Sequence, residues 1–149
     1  MKRTLRFSFQ EERASAEAEL LWDKAPRTCE MLSRVLPIVG FAHHAIYSGS
    51  ECVVLLDEVL RLEAENSFFR VARGDVAFAW MAAGSSYGVN SDFSEICWFY
   101  DIDAAPRMWE GPVAVNVFAR ILEPAEEFYA VCRRMRRDGV KPIVLELTS

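Results

Sequence analysis

The stretch Trp22–Pro37, WDKAPRTCEMLSRVLP, reads as a strand end that turns into one short helix. Pro26 suits the first helical turn, where its missing N–H is not needed and its fixed φ is already helical. Asp23, just upstream, is expected to place a carboxylate near the positive end of that helix. Cys29, Leu32, Val35 and Leu36 fall on one face and give the helix a single side to bury. Leu36-Pro37 ends it, because a residue before proline is pushed out of the α region. A helix this short and one-sided needs a sheet to plug.

Upstream, Leu5, Phe7 and Phe9 alternate with Arg6, Ser8 and Gln10, the period of a half-buried strand. Glu11-Glu12-Arg13 makes a turn. Ala14, Ala16, Ala18, Leu20 and Trp22 then alternate with a face that carries Glu17 and Glu19, so the two runs form an antiparallel hairpin. Downstream, Ile38–Tyr47 and Glu51–Leu56 read as a second strand pair around Ser48-Gly49-Ser50. Residues 57–75 fit neither period cleanly. Gly74-Asp75 feeds an apolar strand, Val76–Met81, and residues 84–91 are a loop by composition. Phe93–Tyr100 is an aromatic strand with Ile96, Trp98 and Tyr100 on one face and Cys97 and Phe99 on the other.

After a polar loop, Asp101–Pro112, the run Val113–Ile121 is apolar on both faces apart from Asn116 and Arg120. That marks a strand central in a sheet or in the wall of a filled barrel. A second helix runs from about Pro124 to Asp138, with Ala125, Phe128, Tyr129, Cys132 and Met135 as its stripe. Glutamates at its start and arginines at its end complement the macrodipole, and Gly139 suits the position after it. Lys141–Thr148 is a last strand. The predicted fold is mainly β with two helices, one domain over 1–149, and a closed antiparallel barrel is the architecture that leaves no open edge.

The 149 residues are 52% hydrophobic and 26% charged, a folded rather than disordered composition. A net charge of −5 argues against a nucleic-acid binder, and the basic run Arg133–Arg137 is accounted for by its place at a helix end. Four dispersed cysteines, Cys29, Cys52, Cys97 and Cys132, lie in apolar runs and read as reduced core residues. With no apolar leader and no membrane-length apolar stretch, the expected location is cytoplasmic, away from membranes.

Leu21–Thr28 resembles the start of cyclophilin-like proteins, in which a hairpin leads to a helix that plugs the barrel. With HAIYSGSE (His44–Glu51), RGDVAF (Arg73–Phe78) and EICWFYD (Glu95–Asp101), the chain is similar to an uncharacterised bacterial family of that fold, the domain of unknown function 3830. The resemblance implies a cyclophilin-like fold and no particular activity. Prolyl-isomerising cyclophilins carry a Phe-His-Arg strand motif and a Gln-Gly-Gly-Asp turn. Here the first region reads Phe41-Ala42-His43-His44-Ala45-Ile46, with no arginine from Val35 to Leu60 and no such turn. Without a cation to stabilise the twisted amide, isomerisation is not expected.

Two clusters carry candidate chemistry. One is His44, Tyr47, Ser48 and Glu51 around the Gly49 turn, where a histidine near neutral pKa offers acid–base or hydrogen-bonding chemistry. The other is Glu95, Phe99, Tyr100, Asp101 and Arg107, joined by Asn116, whose amide inside an apolar strand needs hydrogen-bond partners. Together they make up the aromatic-walled, sparsely polar lining of a small-molecule site. The leading expectation is a pocket at the barrel side for a small anionic or peptide-like ligand, bound by His44, Tyr47, Ser48, Tyr100, Arg107 and Asn116. The alternatives are a metal-independent enzyme pairing His44 with Glu51 or Glu95, a prolyl isomerase, and a homo-oligomeric interaction protein. With only His43 and His44, on opposite faces of a strand, no metal site and no cofactor are expected.

Overall fold

The computed structural model describes residues 2–148. Strands β1 (Thr4–Phe9) and β2 (Ala14–Leu20) form the expected hairpin, closed by one 3₁₀ turn at Gln10–Glu12. Leu5, Phe7 and Phe9 point inward with Ala16 and Ala18, while Glu17 takes the outer face and pairs with Arg6 at 2.9 Å. Helix α1 (Pro26–Val35) follows, with Cys29 and Leu32 buried as the spacing requires. Trp22 lies beyond the end of β2, not within it.

The chain then lays down β3 (Ile38–His44), β4 (Glu51–Leu55), β5 (Ser67–Phe68), β6 (Asp75–Met81) and β7 (Phe93–Phe99). A small hairpin, β8 (Arg107–Met108) and β9 (Gly111–Pro112), precedes β10 (Val115–Ile121), helix α2 (Glu126–Asp138) and β11 (Lys141–Thr148). Eight strands pair antiparallel in the order β2-β1-β11-β3-β4-β7-β6-β10. Pairing of β10 with β2, from Ala119↔Leu20 to Ile121↔Ala18, closes the barrel. Closure removes the exposed edges that an open sheet of this size would carry.

Aromatic rings fill the interior. Phe7 meets Trp98 edge-on at 5.1 Å between centroids, and Phe9 stacks on Phe128 at 5.2 Å. Helix α2 closes the end where β7 finishes: its Cys132 sulfur accepts the Trp98 indole N–H at 3.3 Å, and Met135 reaches Cys52. Helix α1 closes the other end, where its last turn lies beside Leu56 and Leu60 just past β4. All four cysteines are buried and none is in a disulfide. Among the described residues no helix is long and apolar enough to cross a membrane.

A second apolar cluster lies on the outside of the barrel, where Ala77, Cys97, Phe99, Val115 and Val117 are buried beneath loops. This explains why β10 is apolar on both faces.

Residues 57–75, ambiguous in sequence, form no helix. They run as an extended strap that ends in the two-residue β5. Leu60 N–H bonds the Ser94 hydroxyl at 2.9 Å, and Leu56, Leu60 and Leu62 pack on the core. Glu65, at the end of the strap, accepts from Thr28 N–H and Thr28 hydroxyl, each at 2.8 Å, and from Arg27 N–H at 3.1 Å. The carboxylate bonded to the α1 N-terminus is therefore Glu65, where the sequence pointed to Asp23. Glu65→Ala should cost about 1–2 kcal/mol in urea denaturation, the usual loss on deleting a helix N-terminal acceptor, whereas Asp23→Ala should cost less than about 0.5 kcal/mol.

Candidate functional site

Strands β4 and β7 pair so that Glu51 lies opposite Phe99, Val53 opposite Cys97 and Leu55 opposite Glu95. Side chains alternate along a strand, and Cys52, Val54, Ile96 and Trp98 take the interior. Glu51, Val53, Leu55, Glu95 and Cys97 therefore share the outer face. On the next strand, Ala77 lies opposite Cys97 and Ala79 opposite Glu95, small residues that leave space above the wall.

That space is a cleft-like cavity of about 650 Å³. The barrel supplies its floor through Glu51, Val53, Leu55, Phe93 and Glu95, and loops supply the facing side through Tyr47, Ser48, Tyr87, Val89 and Arg107. Two ties hold the loops over the strands. The Ser48 hydroxyl accepts from Arg107 N–H at 3.0 Å and donates to the Arg107 carbonyl at 3.2 Å. The Glu110 carboxylate accepts from Tyr87 N–H at 2.9 Å and from the Ser86 hydroxyl. Trp109 meets Tyr47 edge-on and Tyr87 at a tilt, with centroids 6.0 and 5.7 Å apart. At Gly49, φ is +68° and a Cβ would lie 2.5 Å from the Asp103 carbonyl oxygen, so only glycine fits this turn.

On the floor, one oxygen each of Glu51 and Glu95 and the Cys97 sulfur lie within 4.8 Å of one another. Burial pushes Glu51 from the ordinary 4.5 up to about 7, with the Ser48 hydroxyl pulling the other way. Burial, and next the neighbouring Glu51 charge, push Glu95 up to about 8. The Cys97 thiol is raised by burial first and then by both carboxylates, and it donates to the Ala77 carbonyl at 3.5 Å. No arginine or lysine lowers either glutamate.

His44 sits at the edge of this cavity and borders a second depression of about 470 Å³ beside Met135 and Arg136. Its Nδ1 bonds the Ala45 carbonyl at 2.8 Å, which assigns the proton to Nδ1. Nε2 then accepts from the Tyr100 hydroxyl at 2.6 Å and from Arg136 Nε at 3.2 Å. Burial lowers its pKa, and the Arg136 charge adds to that.

The structure thus brings His44, Tyr47, Ser48, Glu51, Glu95 and Arg107 to one cavity. It does not bring the other two predicted ligand-binding residues there. Tyr100, 1% exposed, lies on the core side and reaches His44. Asn116 accepts from Glu65 N–H at 3.1 Å and donates to the Glu63 carbonyl at 3.0 Å, so its amide is satisfied by the strap. The expected His44–carboxylate pair is also not formed: among the described residues no hydrogen bond joins the imidazole to a carboxylate, and Arg136 occupies that position instead. Cys97 and Arg136, read from the sequence as a core cysteine and part of a helix-end basic run, were not expected at the site. Cys97 shares the parity of Glu95 on one strand, a usable signal; Arg136 reaches His44 from a distant helix and left none.

Fold and site define a closed β-barrel protein with a cavity on its outer wall. The chain belongs to the family described as "Protein of unknown function (DUF3830)", which matches residues 7–147. It is similar to the hypothetical protein AF2241 from Archaeoglobus fulgidus, at 25% identity and a TM-score of 0.63, over 99% of this chain and 95% of that one. It also shares its fold with McbB, solved in complex with tryptophan, at 12% identity and a TM-score of 0.69. That likeness covers 95% of this chain but 44% of McbB. A search of curated proteins found no match.

A carboxyl whose pKa is raised on folding favours the native state below its unfolded pKa, and loses that contribution as pH climbs through the folded value. Glu95→Gln, neutral at every pH, should therefore match the parent near about pH 4.5. It should become more stable by on the order of 1 kcal/mol or more towards about pH 8, seen as a widening Tm gap. A Tm gap that is flat across this window would contradict the buried environment assigned to Glu95.

Proposed function

We propose that this protein is a cyclophilin-like barrel that binds a small peptide-like ligand in its outer-wall cavity and does not isomerise prolyl bonds. The observation that carries the reading is the cavity of about 650 Å³, of a size for a small molecule, with an apolar floor broken only by Glu51 and Glu95. Both carboxyl groups are acceptors that suit ligand N–H groups, while Tyr47 and Tyr87 offer ring surface from the facing loops. Of the two ligand classes expected from the sequence, the peptide-like one fits better, since an anion would meet two carboxyl groups on the floor. By the resemblance to cyclophilins, the strand region Phe41–Ile46 corresponds to the one where an isomerase carries its arginine, and it holds His43 and His44 in place of that permanent cation.

One observation favours a second reading, proton-transfer chemistry on the bound ligand. The Glu51–Glu95 pair, rather than His44, has the shared burial and raised pKa values of an acid–base couple.

A thermal-shift series of simple amides, short peptides and small carboxylates tests the binding reading. At 100 times its Kd a ligand adds about 2.7 kcal/mol of stability, so amides and peptides should raise Tm and carboxylates should not. Tyr47→Ala should reduce the shift. No response to any class would remove the reading, and acceleration of prolyl isomerisation in a peptide would remove its second half.

A further inference from the structure

The floor of the cavity holds two carboxyl groups with no protein cation beside them. Glu51 is 5% exposed and Glu95 half-buried, and the two approach within 4.8 Å across Cys97. The ion pairs of the described residues draw on Glu12, Glu17, Glu30, Glu126 and several aspartates, but on neither of these glutamates. The groups that face Glu51 as donors are the neutral Ser48 hydroxyl and Cys97 thiol, and Glu95 has no such neighbour. Glu51 is thus an acidic group more than nine-tenths buried that lines the cavity with neutral neighbours and no cation beside it. Buried carboxylates without a counter-charge are costly, and an occupant that brings a positive group relieves that cost.

Three occupants meet this requirement: a proton, a metal ion and an organic ammonium. A proton leaves the cavity itself unexplained. A metal ion needs the third donor, Cys97, yet that thiol is fully buried behind the lining and already donates to the Ala77 carbonyl. A cavity of about 650 Å³ is also far larger than an ion with its water shell requires. An organic ammonium uses the floor and the aromatic side chains of the lining, while the Arg107 guanidinium stands on the facing side, across the cavity from the carboxyl pair. The ammonium charge matches Glu51 and Glu95, and an apolar body matches Val53, Phe93, Val113 and Val115. Tyr47 and Tyr87, both braced by the Trp109 ring, supply aromatic surface at the loop side, and ring faces attract cations.

Resting on the ligand-binding reading above, we propose that the natural ligand carries an amine: an organic ammonium group seats between Glu51 and Glu95, with its apolar part held between the β4–β7 wall and the Tyr47–Tyr87 loops. The aromatic loops then serve as the selective entrance, and the carboxylate pair as the charge anchor.

Three ring compounds of nearly equal size test this by calorimetry: benzylamine, benzyl alcohol and benzoate. Benzylamine should bind at least about tenfold more tightly than benzyl alcohol, and benzoate more weakly than either. Its affinity should rise between about pH 6 and about pH 8.5, where the amine stays charged and the two carboxyl groups lose their shared proton. The double variant Glu51→Gln, Glu95→Gln should lose at least about tenfold for benzylamine and much less for benzyl alcohol. If the double variant fails to fold, Tyr87→Ala, on an exposed loop, should still weaken benzylamine more than benzyl alcohol. Equal binding of all three compounds, or a preference for benzoate, would overturn the amine assignment and leave the pocket reading standing. Binding of none would overturn both. Zinc chloride that displaces benzylamine in the parent but not in Cys97→Ser would assign the floor to a metal ion and overturn the proposal.

Discussion

The pairing of β4 with β7 is the constraint on which the rest of the site depends. Its register sets Val53 opposite Cys97, and strand alternation then sends Glu51, Glu95 and Cys97 outward while Trp98 and Ile96 fill the barrel. A slip of one residue would exchange the two sets, putting carboxylates into the core and Trp98 against the loops. The aromatic interior and the acidic cavity are therefore two faces of one decision. The interior enforces it, because Phe7, Trp98 and Phe128 meet ring against ring and α2 bonds Trp98 through Cys132.

What turns an outer wall into a cavity is the set of loops fastened over it. Ser48 bonds both backbone groups of Arg107, Glu110 holds the Tyr87 loop, and Gly49 allows the close approach to Asp103. These ties are few and polar, whereas the barrel beneath is closed and densely apolar. A rigid wall carrying the charged groups and a lightly fastened aromatic cover is a division of labour suited to admitting and releasing a ligand.

Much of the fold was readable in the sequence because its signals are local. The period of two in Leu5–Phe9 and Ile143–Leu147, and the stripe of α2, needed no knowledge of distant residues. The strap at 56–66 was not readable for the opposite reason: its leucines pack singly, and its polar partners are Thr28, Ser94 and Asn116, far along the chain. Thr28 in turn took its carboxylate from Glu65, a choice invisible from the helix alone. At the site, Glu51 and Glu95 were recognisable singly, but their proximity arises from the pairing of two strands. Tyr100 was grouped with Glu95 although the two differ in parity on one strand, so a single face could never hold both. Asn116 needed partners, as its surroundings suggested, and found them in the strap.

The central claim is that two glutamates on the outer wall are buried together without a counter-cation. Carbon-13 NMR of the side-chain carboxyl groups, followed through a pH titration of the whole protein and assigned with Glu51→Gln and Glu95→Gln, measures this directly. The account predicts two coupled carboxyl resonances that titrate near neutral pH, well above the other glutamates, with removal of one residue lowering the midpoint of the other. Titration of both groups at the ordinary carboxylate value near about 4.5, independent of each other, would contradict it.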